Sequence, residues 1–166
     1  MKQNGIVLST ERVDIMQIFI PGNVPSLKNS KIATTKGVFA SKTVRHYLQD
    51  LGIRGYSLRE RAVQEYQRRP NLFRAAIKPM LSADIKIPHL IGLYFIRDSN
   101  RQFDWINAAQ IIFDLLVAHR VITDDSMRYL VPSPFLSGKD MAEVWGVPEN
   151  TWYCVDKERA GVIIDY

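Results

Sequence analysis

Asp104, Asn107, Gln110 and Asp114 recur along one stretch of the chain, FDWINAAQIIFDLLVAHRVITDD, which closes on the pair Asp124-Asp125. On a helix turning about 100° per residue, with Asp104 at zero, Asn107 falls near −60°, Gln110 near −120° and Asp114 near −80°. The polar groups therefore share one stripe, while Ile111, Ile112, Leu115 and Leu116 supply a face to bury. Hard oxygen ligands beside an apolar helix suit Mg²⁺, which binds through one or two carboxylates and keeps several waters. The same residues also suit a plainer arrangement, with Asp104 as N-cap, a solvated polar edge and an acidic turn.

The rest of the chain must position that stripe. With 166 residues, 46% of them hydrophobic, it suffices for one domain with a real core and is short for two. A single cysteine, Cys154, rules out a disulfide framework and a cysteine-rich zinc site. There is no run of about 18 apolar residues, and the apolar stretch in MKQNGIVLSTERVD is too short for a signal peptide. A soluble cytoplasmic protein is expected, without membrane partners.

The net charge of +5 conceals a division. Residues 1–82 carry 14 Lys and Arg against 5 Asp and Glu, a net of +9, whereas residues 83–166 carry 8 against 12, a net of −4. A basic half attracts polyanions through phosphate contacts, and an acidic half can hold a metal that acts on them. Uneven charge is also common in proteins that bind no nucleic acid.

Val13 to Ile20 reads as a strand, ended by PGNVP. The following PSLKNSKIATTKG reads as a loop whose Lys28, Lys31 and Lys36 are suited to phosphate contact. Ser41 caps a short helix from Lys42 to Leu51, with Val44, Leu48 and Leu51 inward, Lys42 and Arg45 on its first turns and Gly52 as the stop. Ser57 and Glu60 form a capping box for a basic helix that Pro70 ends. The run Ile85–Ile96 is a strand that bends or begins after Pro88.

Beyond the Asp104 helix, which ends near His119, a strand is expected at Met127–Val131 and a weak helix or turn up to Trp145. Trp152–Val155 and Val162–Tyr166 read as a C-terminal hairpin around DKERAG, with Gly161 available for positive φ. Strands interspersed with helices imply a mixed α/β domain. His46, His89 and His119 lack ligand spacing, and Cys154 suits a core better than a nucleophile. Trp105, Trp145 and Trp152 suit the core or a dimer contact better than base stacking.

The order of motifs resembles a family. IPG-x-x-PS-x-KN, then a strand, then FD-x-x-N-x-x-x-x-x-x-D, VITDD and KERAGVIIDY together resemble the RusA-type Holliday-junction resolvases. The resemblance covers most of the chain except about residues 53–80, which read as a basic helical insertion. It implies a homodimer, with a mixed sheet flanked by helices, that cleaves branched DNA using Mg²⁺, with Mn²⁺ as a possible substitute. Carried over, Asp104 and Asp125 are the catalytic aspartates and, with Asp124 and Asn107, the metal ligands. Ser26, Lys28 and Asn29 match a segment that family members place close to DNA, and Lys31, Lys36, Lys42 and Arg45, read from their charge, complete the expected DNA-contacting set.

Two positions depart from the pattern: Ile106 stands where the family has a second aspartate, and Gln110 where it has a lysine. Each loss removes an electrostatic group. Asp104 and Asp114 lie about 15 Å apart along a helix axis, too far to share one ion, which leaves Asp114 and Gln110 in support. The alternative is therefore a protein of the same fold that binds branched DNA without cutting it. A third possibility is an interaction domain whose basic half meets an acidic protein.

Overall fold

The computed structural model describes residues 16–26, 31–34, 37–53, 70–83, 86–133, 141–148 and 151–166, with backbone alone at 31–34, 37–40 and 141–142. Its centre is a five-stranded mixed sheet. The strands are β1 (Gln17–Pro21), β4 (His89–Arg97), β5 (Leu130–Ser133), β6 (Tyr153–Val155) and β7 (Gly161–Asp165). The order runs β1-β7-β4-β5, with β6 also on β4. β7 is antiparallel to both β1 and β4, whereas β5 and β6 run parallel to β4. Helices accompany the sheet, so the mixed α/β class expected from the sequence is the observed one.

β4 begins directly after Pro88, as its missing N–H dictates, and all of its residues but Leu90 are buried. Ile91, Leu93 and Phe95 join Ile18, Ile20, Val162 and Ile164 on the face that forms the main core. Tyr94, Ile96 and Ile163 point the other way into a smaller cluster with Phe19, Trp145, Val147 and Cys154. The latter is closed by α5 (Met141–Trp145), whose Trp145 Nε1 donates to Gln17 Oε1 at 3.1 Å.

α1 (Lys42–Asp50) has its N-cap at Ser41 and buries Val44, Tyr47 and Leu48. It stops at Gly52, whose φ of +78° allows Ile53 N to reach back to Leu48 O and Gly52 N to Gln49 O. α2 (Leu72–Ala76) and α3 (Lys78–Ser82) follow, with Phe73, Ile77 and Met80 in the main core. The capping-box helix expected at Ser57, and residues 54–69 of the supposed insertion, lie outside the described residues.

Four expectations need correction. The basic loop after Ser26 is partly a β-ribbon, in which β2 (Lys31–Thr34) pairs with β3 (Gly37–Ala40) in a sheet of its own. Lys31 thus belongs to a strand, because KIAT and GVFA can pair across a short connection. The strand expected at Met127–Val131 starts at Leu130 instead, since Tyr129 N and Leu130 N fold back on Ser126 O as a turn. The expected C-terminal hairpin is absent: β6 and β7 lie on opposite edges of β4. Nor does Gly161 adopt positive φ; it sits within β7, packed against the Phe19 ring.

α4 (Trp105–Ala118) lies on the main core face and buries Ile111, Ile112, Phe113, Leu115 and Leu116 along with three alanines. Each large side chain contributes about 1.5–3 kcal/mol on burial, against about 1 kcal/mol for an N-cap, so packing fixes this helix in place. Its end is a Schellman turn, with Arg120 N on Val117 O and Val121 N on Leu116 O. Arg120 takes the position glycine usually fills, at φ +59°, and there the chain reverses toward Asp124.

His119, the last residue before that turn, is 3% exposed. One ring nitrogen hydrogen-bonds Leu115 O at 2.8 Å, and the ring lies 4.8 Å from that of Phe73. Burial holds its pKa below the ordinary 6.5, and the Arg74 charge pushes the same way. The folded protein therefore keeps it neutral, while the unfolded chain takes up a proton near 6.5. Stability should be full above that pH and fall below it, by up to about 1.4 kcal/mol per pH unit. Burial shifts His89 in the same direction. Urea midpoints are expected to hold level from pH 7 to 8 and drop between 6.5 and 5, less steeply in His119→Gln. A level midpoint down to pH 5 contradicts this.

Candidate functional site

Asp104 is the N-cap of α4: its Oδ1 accepts from Ile106 N at 3.1 Å and Asn107 N at 3.4 Å. An aspartate here satisfies orphan backbone donors and sits well in the positive end of the helix dipole. Asp104 is exposed and Asn107 half-buried, so both border solvent at the mouth of the helix. Ile106, beside them, is 71% exposed, and no core contact requires an apolar residue there.

Two turns on, Gln110 makes the connection that decides the site's shape. Its Nε2 donates to Asp114 Oδ1 at 2.9 Å and to Asp125 Oδ2 at 2.6 Å. Carboxylates only accept, so the amide must present its NH₂ group to both, and each of its two hydrogens has a charged acceptor. The first bond follows from i, i+4 spacing on the helix. The second spans fifteen residues and depends on the reversal at Arg120. The polar stripe is thus real, and the loop aspartate lands on its middle.

Asp124 faces elsewhere. Its Oδ1 accepts from Ser126 N at 2.8 Å, and hydrogen bonds from the Ser126 side chain and backbone hold its pKa below the ordinary carboxylate value. This local ring starts the turn that delays β5 to Leu130. Asp124 and Asp125 are both exposed.

The structure thus brings Gln110, Asp114 and Asp125 together and leaves Asp104 with Asn107 at the helix start. Among the described residues no three of His, Cys, Asp and Glu gather into a group that could hold a metal ion. Among the described residues, the second oxygens of Asp104 and Asp125 make no hydrogen bond, and both belong to exposed carboxylates. Mg²⁺ needs only one or two carboxylates and fills its remaining positions with water.

Of the expected DNA-contacting residues, Lys42 and Arg45 are exposed on α1 and Ser26 is half-buried. Lys31 is placed by its backbone in β2, and Lys28, Asn29 and Lys36 lie outside the described residues. An open cleft of about 400 Å³ at the far end of α4 is lined by Val117, Arg120, Val121, Ile122 and Thr123, none of them an expected site residue.

Sequence reasoning overlooked Arg97, which is 8% exposed at the end of β4. Its Nη1 donates to Val24 O, and its guanidinium carbon stands 4.5 Å from the centre of the Phe103 ring. An arginine closing a run as apolar as HLIGLYFI was the available signal. Trp105 packs on the main core, Trp145 on the second cluster, and Trp152 is 46% exposed. Burial pushes the half-buried Cys154 thiol up, away from nucleophilic use.

No family model matches the chain, and no curated protein matches it. No helix among the described residues is long and apolar enough to cross a membrane.

Proposed function

We propose that this protein is a metal-dependent endodeoxyribonuclease acting on branched DNA, akin to the RusA-type resolvases. The observation that carries the reading is the seating of Asp125 on the polar stripe of α4. Gln110 holds that aspartate, brought from a loop fifteen residues away, on the same helix that Asp104 caps. A purely solvated helix edge does not require such a long-range tie.

In this reading Asp104 and Asp125 supply the carboxylates for Mg²⁺ or Mn²⁺, with Asn107 as a further oxygen donor; Asp124, expected from the sequence to join them, is instead engaged with Ser126 N. The ion, when bound, would polarise the scissile phosphate and lower the pKa of a bound water. Gln110 fixes the direction of Asp125, and Asp114 takes the other hydrogen of that amide. Lys42 and Arg45, exposed on α1, contact the phosphate backbone without reading bases, as does Lys31. A homodimer, which would present two such sites to a symmetric junction, belongs to the same proposal, as does cytoplasmic action on phage or prophage DNA.

One observation favours the second reading, a junction binder that does not cut. The exposed Ile106 adds no carboxylate beside Asp104, and no three-acid group exists among the described residues. The test is a labelled four-way junction and a matched linear duplex incubated with Mg²⁺, Mn²⁺ or EDTA. Nicking of the junction with metal and none in EDTA is the expected result. Tight junction binding without cutting under either ion establishes the second reading, and absence of both binding and cutting overturns both.

A further inference from the structure

Of the large apolar side chains among the described residues, Met127 and Ile106 are the most exposed, at 83% and 71%. Single exposed apolar residues are ordinary on protein surfaces. The place of these two is not ordinary. Each stands two residues beyond an aspartate of the proposed site, Ile106 beyond Asp104 and Met127 beyond Asp125. Ile106 also precedes Gln110 by one helical turn on the same face of α4, and Gln110 Nε2 holds Asp125 at 2.6 Å. That tie draws the loop carrying Met127 onto the face of α4 that carries Ile106.

Folding gives neither side chain a reason to be apolar. Ile106 lies in the first turn of α4, where it buries little and, being β-branched, loses χ1 freedom. Met127 lies in the turn that Tyr129 N and Leu130 N close on Ser126 O, bonds that the backbone makes without it. Two exposed cations adjoin them in the chain. Arg101 comes three residues before Asp104, and Arg128 directly follows Met127, its guanidinium carbon 5.6 Å from the centre of the Tyr129 ring. The exposed carboxylates on the same two segments are Asp98, Asp104, Asp124 and Asp125. A protein partner covering Ile106 and Met127 would take some of these out of water, a cost that contact with two side chains does not recover. DNA can meet them through a shared divalent cation, and its unstacked bases offer apolar faces.

We propose that Ile106 and Met127 are apolar wedges that pack on bases unstacked at the branch point of DNA, with Arg101 and Arg128 on the flanking phosphates. The inference rests on the reading that the protein binds branched DNA, and it holds whether or not the protein cuts. Wedging an apolar side chain into a base step costs the stacking of that step. The cost is least where pairing is already interrupted, and every arm of a junction ends at its branch point. The wedges thereby supply a preference for branched over linear DNA. Cations alone cannot supply it, because phosphates are present on any duplex.

The experiment uses a four-way junction with 2-aminopurine at the branch point, a base whose fluorescence rises on unstacking, and a linear duplex with the same base mid-sequence. Both are titrated in EDTA over a range of salt. Anisotropy reads affinity and the purine signal reads unstacking, with melting and sedimentation of each protein alongside. The wild type should raise the purine signal on the junction and leave it level on the duplex. The double variant Ile106→Gln, Met127→Gln should lose most of that rise. It should bind the junction about tenfold more weakly, and the duplex within about twofold of the wild type. Ile106→Leu with Met127→Leu should keep both readings. Arg101→Gln and Arg128→Gln should each lower the slope of log K against log salt by about 0.9.

A wild-type purine rise and affinity in the glutamine double variant overturns the proposal. An equal loss on junction and duplex overturns it too, as plain surface contact. So does a changed sedimentation, which places the two side chains between copies of the chain. An unchanged salt slope in both arginine variants overturns the phosphate contacts. Should the double variant fail to fold, Met127→Gln, confined to an exposed turn, decides by the same criteria. If the wild type binds no junction, the functional reading itself falls and this inference with it. If the wild type binds and the glutamine variants match it, only this inference falls.

Discussion

Asp125→Asn should abolish most metal-dependent cutting of a four-way junction, lowering the rate by about 10² to 10³ or more, while leaving junction binding and the fold in place. The substitution is close to isosteric, and the asparagine oxygen can still accept the hydrogen bond that Gln110 Nε2 makes at 2.6 Å. What it removes is the negative charge that would hold the ion. Asp125 is exposed, so no buried partner is stranded by the change. Asp104 needs more care, because it also caps α4. Asp104→Asn preserves capping, and Asp104→Ala costs about 1 kcal/mol of stability as well as the charge. Loss of cutting in both asparagine variants, at unchanged melting temperature, is the signature of a metal site. Single-turnover cleavage with each ion measures it. Cutting by Asp125→Asn at the wild-type rate would remove this carboxylate from the chemistry.

How far the sequence could be read depends on the range of the interaction. Local signals held: Ser41 and Asp104 cap the helices expected of them, Pro88 sets the start of β4, and Gly52 ends α1. Each depends on a backbone group within four residues. The polar stripe of α4 was legible for the same reason, through its period. Its partner was not. Whether Asp125 meets Asp104, Asp114 or solvent is decided by the turn at Arg120, and an arginine gives no warning of positive φ.

The misplaced C-terminal strands show the same limit. YCV and GVIID flank a turn and so resemble a hairpin. Yet Val162, Ile163 and Ile164 form an unbroken apolar run, and every residue of β7 is buried. A strand apolar on both faces belongs in the middle of a sheet. β7 therefore takes the place between β1 and β4, and β6 pairs at the far edge of β4. That run was a better guide than the turn. The β2–β3 ribbon was missed for a different reason, since its lysines drew attention to charge and away from the pairing of KIAT with GVFA.

The central position of β7 makes Gly161 the most sensitive backbone position in the sheet. Pro21 of β1 lies opposite it on one side and Ile96 of β4 on the other. A Cβ added there would stand 2.4 Å from Phe19 Cζ and 2.5 Å from the Ile20 carbonyl oxygen. Real Cβ contacts do not come so close, so something must move. The ring can rotate, but the carbonyl belongs to the β1 backbone, and moving it disturbs the register with β7. Gly161→Ala should therefore destabilise the protein by about 3 kcal/mol, the upper end for an overpacked core, and lower the melting temperature by about 9 °C. Phe19→Leu in the same chain should restore only part of the loss, because it frees the ring contact and leaves the carbonyl contact. Urea denaturation of the wild type, both single variants and the double variant gives the coupling directly. A loss below about 0.5 kcal/mol in Gly161→Ala would mean that β1 and β7 lie farther apart than this packing requires, and complete rescue by Phe19→Leu would place the whole conflict in the ring.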